Sequence, residues 1–297
     1  MMAVITRAKG TREMYALETE QAVLRYDMIG QGPILLFIPG ASGINDSYIE
    51  TAQALKQEYT VILPDRRGYG ASELTAPLPA SIANSKDTYR LKQDVLDMKA
   101  ILESITDKSV TIFATDTGAA AALQFALDYP EWVETLLLHE PLNVSVLPDA
   151  EAYAAQAEQI VRTAMIEGVP AAMRQYESMV QPTQTDMNVL VENTIAPCAV
   201  CSPDTAQMRS RASTEIWLQY ELRQYMNYSF VYAQDTALAI NIIVAQGEDS
   251  KGSLGYEAAR YFSHVLKAPM AQVPGGHYGY AQQPEAFAQA VKALLTK

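Results

Sequence analysis

Val110-Thr-Ile-Phe-Ala-Thr-Asp116-Thr-Gly118-Ala-Ala-Ala-Ala122 is the stretch on which the fold turns. The β-branched and aromatic run Val110 to Phe113 predicts a buried strand, and the alanine-rich run from Ala119 to Tyr129 predicts a helix. Between them, Ala114-Thr-Asp-Thr-Gly118 has small residues at both ends and a polar residue at its centre. A strained strand-to-helix turn requires that composition to project one side chain at the edge of a sheet. Here the projected side chain is Asp116. The helix behind it offers N–H groups and the positive end of its dipole, which favour the ionised carboxylate.

Outward from this turn the same alternation recurs. Ile34-Leu-Leu-Phe-Ile38, Thr60-Val-Ile-Leu63, Thr135-Leu-Leu-Leu138 and Ile240-Asn-Ile-Ile-Val-Ala245 read as further buried strands, and Tyr89 to Ile105 carries apolar residues at helical spacing. The implied architecture is α/β, a mostly parallel central sheet flanked by helices. Between Pro141 and about Ala237 the strands disappear, and Ala-, Gln-, Met- and Tyr-rich helical segments take over, notably Ala150 to Glu167 and Ser213 to Tyr228. The predicted organisation is therefore a core over 1–140, an inserted helical cap over 141–237 and a returning core over 238–297. Thioethers and amphipathic rings in the cap suit either helix packing or a wall closing over an apolar ligand.

The 297 residues carry 34 acidic and 22 basic side chains, a net charge of -12, with a pI near 4.7 and a mean hydropathy of -0.05. Such a field repels phosphate backbones and anionic bilayers, so neither nucleic acid nor membrane is an expected partner. The N-terminus has no apolar signal-peptide core, and no apolar run reaches the roughly 18 residues of a membrane helix. A cytoplasmic protein with a small-molecule substrate is expected, a homodimer being one assembly to test. The two cysteines, Cys198 and Cys201, lie between Pro197 and Pro203 with no second Cys or His cluster nearby, and read as ordinary free thiols. No metal or organic cofactor is implied.

In an open parallel sheet the reactive groups sit at strand ends. Besides the Asp116 turn, these ends carry Pro39-Gly-Ala-Ser-Gly43, a small-residue loop able to aim backbone N–H groups into a cleft, and Asp65-Arg-Arg-Gly-Tyr-Gly-Ala-Ser72. Near the C-terminus, Val273-Pro-Gly-Gly-His277-Tyr-Gly-Tyr280 precedes a helix over Pro284 to Leu295. His277 alone among three histidines lies in a glycine-rich loop and is the natural base; His264 falls within a helical pattern, and His139 ends a strand. Such a base needs a carboxylate to hold its tautomer. Glu140, in Leu138-His-Glu-Pro141, is the preferred partner, and Asp249 in Gln246-Gly-Glu-Asp-Ser250 the alternative. Asp116-Thr-Gly118 also spells the aspartic-protease signature, but it occurs once, before an alanine-rich helix rather than in a β-rich lobe.

The motifs PGASG, PDRRGYGAS, ATDTGAA, LLLHEP and VPGGHYGY follow one another in an order and spacing that resemble the α/β-hydrolase fold. Members with DRRG and HEP segments usually carry Ser at the elbow, whereas aspartate in that place resembles the haloalkane dehalogenase and epoxide hydrolase branches. The resemblance implies Asp116 as nucleophile, His277 as base, Glu140 as its orienter, and the N–H groups of Ala41 and Thr117 as an oxyanion hole. It implies hydrolysis of an epoxide, carbon–halogen or ester-like bond in a small, largely apolar molecule. Thr117 and Pro39-Gly-Ala-Ser42 offer none of the halide donors such dehalogenases usually place beside the aspartate, and the HGxP loop of epoxide hydrolases is absent. Ser42, Tyr176, Trp217, Tyr220 and Tyr278 are the candidate substrate-binding side chains, with Trp217 a halide contact and Tyr176, Tyr220, Tyr225 and Tyr228 candidate proton donors to an epoxide. Two other readings keep the fold: Asp116 as a non-covalent base in a lyase, isomerase or esterase, and an inactive scaffold that only binds ligand.

Overall fold

The computed structural model describes residues 2–5, 12–41, 43–195, 213–230 and 240–296, of which 2–5, 12 and 190–195 are described by their backbone alone. Ser42, Cys198 and Cys201 therefore lie outside the described residues.

The strands are β1 (Met2–Ile5), β2 (Arg12–Thr19), β3 (Ala22–Gly30), β4 (Ile34–Ile38), β5 (Thr60–Asp65), β6 (Glu73–Leu74), β7 (Val110–Thr115), β8 (Val133–His139), β9 (Asn241–Gly247) and β10 (Met270–Val273). They form one sheet in the order β1-β2-β3-β5-β4-β7-β8-β9-β10, with β6 paired to β3. From β5 to β10 all neighbours are parallel, and β1, β2 and β3 add an antiparallel edge. That edge is absent from the sequence reading because Glu13, Glu18, Arg25 and Asp27 interrupt its apolar runs. Parallel strands are covered on both faces and read as continuous apolar runs, whereas antiparallel edge strands need not.

The helices are α1 (Ile49–Leu55), α2 (Tyr89–Ile105), α3 (Gly118–Asp128), α4 (Ala150–Ile166), α5 (Val169–Val180), α6 (Gln184–Ile195), α7 (213–220), α8 (Leu222–Met226), α9 (Leu254–Leu266), α10 (Gly279–Gln282) and α11 (Pro284–Leu295). Successive side chains of a strand point to opposite faces, so each central strand feeds two cores. Leu36, Ile38, Ile112, Ala114, Leu136 and Leu138 pack with α2, α3 and α9. Leu35, Phe37, Phe113 and Leu137 pack on the other side with Ala52 of α1 and Phe287 and Val291 of α11. None of these helices, nor any other among the described residues, is long and apolar enough to cross a membrane.

Helices α4 to α8 follow β8 and precede β9. Ile160, Val161, Ala172, Trp217 and Leu222 from this stretch pack with Tyr69, Leu142 and Leu254 in a third apolar cluster. The helix expected over 213–228 is interrupted rather than continuous. Its hydrogen bonding continues through Glu221, whose N–H donates to the Trp217 carbonyl at 2.9 Å, but the backbone leaves helical geometry there (φ -121°). At this break the Glu221 carboxylate lies in a buried cluster with Arg66 and Arg90.

Candidate active site

The turn between β7 and α3 carries Asp116 at φ 51°, the left-handed region. A non-glycine residue held there costs on the order of 1 kcal/mol, although Asp tolerates it better than most. The turn also needs small neighbours. A Cβ at Gly118 would lie 2.4 Å from the Pro39 carbonyl oxygen, and one at Gly40 would lie 2.5 Å from the Asp116 Cβ. The Asp116 main chain is pinned on both sides, its N–H donating to the His139 carbonyl at 3.2 Å and its carbonyl accepting from Leu142 at 3.1 Å.

Asp116 is 6% exposed, and its two carboxylate oxygens differ. Oδ2 accepts the Ala41 backbone N–H at 2.8 Å and has the Thr117 hydroxyl at 3.5 Å. Oδ1 is buried with no hydrogen-bond partner among the described residues. An unpaired buried carboxylate oxygen is costly, and such exceptions cluster where a ligand completes the shell.

His277 follows β10 in the loop before α10, and its Nδ1 lies 2.8 Å from Glu140 Oε2. Burial works against an imidazolium, but the hydrogen bond to Glu140 and its charge, followed by the charges of Asp116 and Asp186, outweigh it and hold the pKa up at about 9. Glu140 follows β8 at φ 44°, fully buried, with Oε1 accepting the Gly247 N–H at 2.8 Å. Burial alone would raise its pKa; the hydrogen bond and charge of His277 win and bring it down to about 2. Asp249 is exposed, and its backbone N–H donates to the Gly275 carbonyl, so the acid beside His277 is Glu140. His139 is buried between Phe113, Tyr280 and Phe287, where burial lowers its pKa to about 4; His264 is exposed on α9.

Over this centre, Tyr176 of α5 meets Trp217 of α7 edge-on, with ring centroids 4.7 Å apart. Burial and the Asp116 charge raise the Tyr176 pKa well above the ordinary phenol value, so the hydroxyl keeps its proton. The Trp217 Nε1–H is buried with no partner among the described residues. The Tyr278 ring lies 5.0 Å from that of His277, and its pKa is raised by burial and then by Asp116. Tyr220, Tyr225 and Tyr228 do not join them among the described residues. Tyr220 has no hydrogen bond or ring contact with the site among the described residues, Tyr225 donates to Asp94 at 2.6 Å, and Tyr228 donates to Gln124 at 2.8 Å.

Two features escaped the sequence reading. Beneath the cap, Arg66 bonds Asp94 and Glu221 at 2.5 and 2.8 Å, Arg90 bonds Glu221 at 2.6 Å, and Arg66 Nη1 donates to the Gly40 carbonyl at 3.1 Å. The carbonyl it holds belongs to the peptide that carries the Ala41 N–H. Tyr48 is the second, its hydroxyl 2.6 Å from Thr115 Oγ1 and its ring stacked on Tyr280 at 4.3 Å. The DRRG segment advertised the arginines; no local pattern advertised Tyr48. Among the described residues, no group of three or more His, Cys, Asp or Glu could hold a metal ion.

A family model described as alpha/beta hydrolase fold matches residues 33–284. The chain is 25% identical over 281 residues, 95% of each sequence, to the uncharacterized hydrolase YraK of Bacillus subtilis (strain 168). Among solved structures, a thermophilic esterase from Thermogutta terrifontis superposes with a TM-score of 0.68 at 16% identity, covering 100% of this chain and 98% of that one. A laboratory-evolved variant of a potato epoxide hydrolase superposes with a TM-score of 0.64 at 16% identity, covering 97% and 99%.

Proposed function

We propose, from the premise that the chain belongs to the alpha/beta hydrolase fold family, that it is a hydrolase in which Asp116 is the covalent nucleophile. The unequal carboxylate carries this reading. Oδ2 is held by Ala41, which leaves Oδ1 as an anionic oxygen without a partner among the described residues. Serine must lose a proton before attacking a carbonyl, whereas a carboxylate is already charged and can displace a leaving group from an sp3 carbon. Oδ1 forms the new C–O bond as the bond to halide, or to the epoxide oxygen, breaks; the electron pair leaves with the halide, or stays on the ring-opened oxygen, which takes the Tyr176 hydroxyl proton, later restored from solvent. An alkyl ester of Asp116 results.

The second step needs a base. The ester removes the Asp116 charge, one of the influences that raise the His277 pKa, and so favours the neutral imidazole that water activation requires. His277 takes a proton from water, and the hydroxide adds to the Asp116 Cγ. The developing oxyanion sits on Oδ2, where the Ala41 N–H already donates. Collapse expels the product alcohol, which takes its proton from His277 and keeps the oxygen that belonged to Asp116.

The same hydrogen bond weighs against direct ester hydrolysis. The Ala41 N–H that would receive a substrate carbonyl is occupied by the protein's own carboxylate. The substrate favoured is therefore a small, largely apolar molecule with an electrophilic sp3 carbon, met by Tyr176, Trp217 and Tyr278. The test is His277→Gln: incubated with an epoxide or haloalkane substrate, it should accumulate protein heavier by the alkyl group on Asp116. An unmodified mass with substrate consumed would point to the non-covalent alternative.

A further inference from the structure

Asp186 lies in the first turn of α6, in the cap, and is fully buried. Its Oδ2 serves its own helix, accepting the Thr183 hydroxyl at 2.7 Å while the Asp186 N–H donates to Thr183 Oγ1 at 3.2 Å. This is a reciprocal helix-start arrangement, and it requires neither burial nor a second partner for the carboxylate. Oδ1 nevertheless leaves the helix. It accepts the Tyr278 backbone N–H at 3.2 Å and Gln282 Nε2 at 2.8 Å, and Gln282 Oε1 accepts the Gly276 N–H at 2.6 Å. A Cβ at Gly276 would lie 2.5 Å from Asp186 Oδ1. One carboxylate from the cap thus holds the chain directly after His277 itself and, through Gln282, the chain directly before it, its two contacts spanning 92 and 96 residues of sequence.

We infer that Asp186 is a positioning residue for His277: from the cap it clasps the 276–282 loop so that the imidazole faces Glu140. The groups facing the ring are Glu140 after β8, Asp116 at the elbow, Asp186 from α6, His139 at 6.3 Å between ring centroids, and Tyr278 at 5.0 Å. The charges of the three carboxylates all favour the imidazolium, and only Asp186 belongs to the cap. When Asp116 is esterified, Glu140 and Asp186 remain. The catalytic consequence rests on the reading of His277 as the base, but the electrostatic link to Asp186 does not.

The test follows the His277 ring signal by NMR in the unligated protein, alongside the pH profile of turnover. In Asp186→Asn the titration midpoint should fall by about one pH unit, a roughly tenfold drop in the imidazolium-to-imidazole ratio at fixed pH, and the limb of the turnover profile assigned to His277 should move with it. In Asp186→Glu the midpoint should return toward its original value. A purely structural role would lower Tm without moving the midpoint, and an unmoved midpoint overturns the inference. A midpoint that moves while the turnover profile stays fixed supports the link and instead contradicts His277 as the base. Should Asp186→Asn fail to fold, the wild-type Asp186 carboxyl carbon should show an inflection at the His277 midpoint, and a featureless titration there overturns the inference equally.

Discussion

The Ala41 backbone N–H donates to Asp116 Oδ2 at 2.8 Å across 75 residues of sequence. It joins the loop after β4 to the elbow after β7, and it makes the two oxygens of one carboxylate unequal. In the proposed mechanism this N–H is the oxyanion-hole donor, and it is engaged by the Asp116 carboxylate. That arrangement suits an enzyme whose own side chain becomes the ester to be hydrolysed.

Asp116→Asn keeps the shape and an oxygen for the Ala41 N–H but removes the negative charge. Turnover should fall by at least about 10³-fold, the scale of losses when a nucleophile is removed. Circular dichroism and Tm should stay close to the parent, because the turn geometry and the Ala41 hydrogen bond can persist. Residual activity near the parent level, measured after excluding deamidation by mass, would contradict the nucleophile assignment.

The pH behaviour of His277 has a definite sign. Its pKa rises from 6.5 to about 9 in the folded chain, so its pairing with Glu140 contributes fully below pH 6.5 and is lost as pH rises through 9. Glu140, lowered from 4.5 to about 2, contributes above pH 4.5 and is lost as pH falls through 2. Thermal melts from pH 6 to 10 should show stability declining over the upper window in the parent, with that component missing in His277→Gln. The hydrolytic step, isolated in single turnover, should titrate below the free-protein midpoint because the ester has removed the Asp116 charge.

Arg66 unites Asp94, Glu221 and the Gly40 carbonyl in one buried guanidinium. Arg66→Met leaves buried Asp94 with the Tyr225 hydroxyl in place of a cation and Glu221 with Arg90 alone, and breaking a buried pair in this way costs about 3–5 kcal/mol. The exposed pair Arg260–Glu257 serves as the control, with an expected change of about 0.5 kcal/mol or less. Denaturant titration of both variants measures the contrast.

The central sheet was legible because its parallel strands are buried on both faces and therefore read as unbroken apolar runs, as in Ile34–Ile38 and Val110–Phe113. Asp116 and His277 stand out in the sequence for a local reason, since each sits in a stretch of small residues that little else explains. The antiparallel edge was hidden by its charges. Asp186 was hidden more deeply, because its sequence shows only a helix start, and the His277 loop it serves is more than 90 residues away. Tyr225 illustrates the reverse: in the sequence it is one cap tyrosine among several, and only packing shows that its hydroxyl is committed to Asp94.

The most direct measurement of the central claim is the fate of oxygen-18 in a single turnover run in labelled water with protein in excess over an epoxide or haloalkane substrate. The alcohol oxygen formed at the attacked carbon should be unlabelled, because it comes from Asp116, and the label should be found in the Asp116 carboxylate by peptide mass. Product fully labelled at that carbon, with an unlabelled Asp116, would contradict the covalent mechanism.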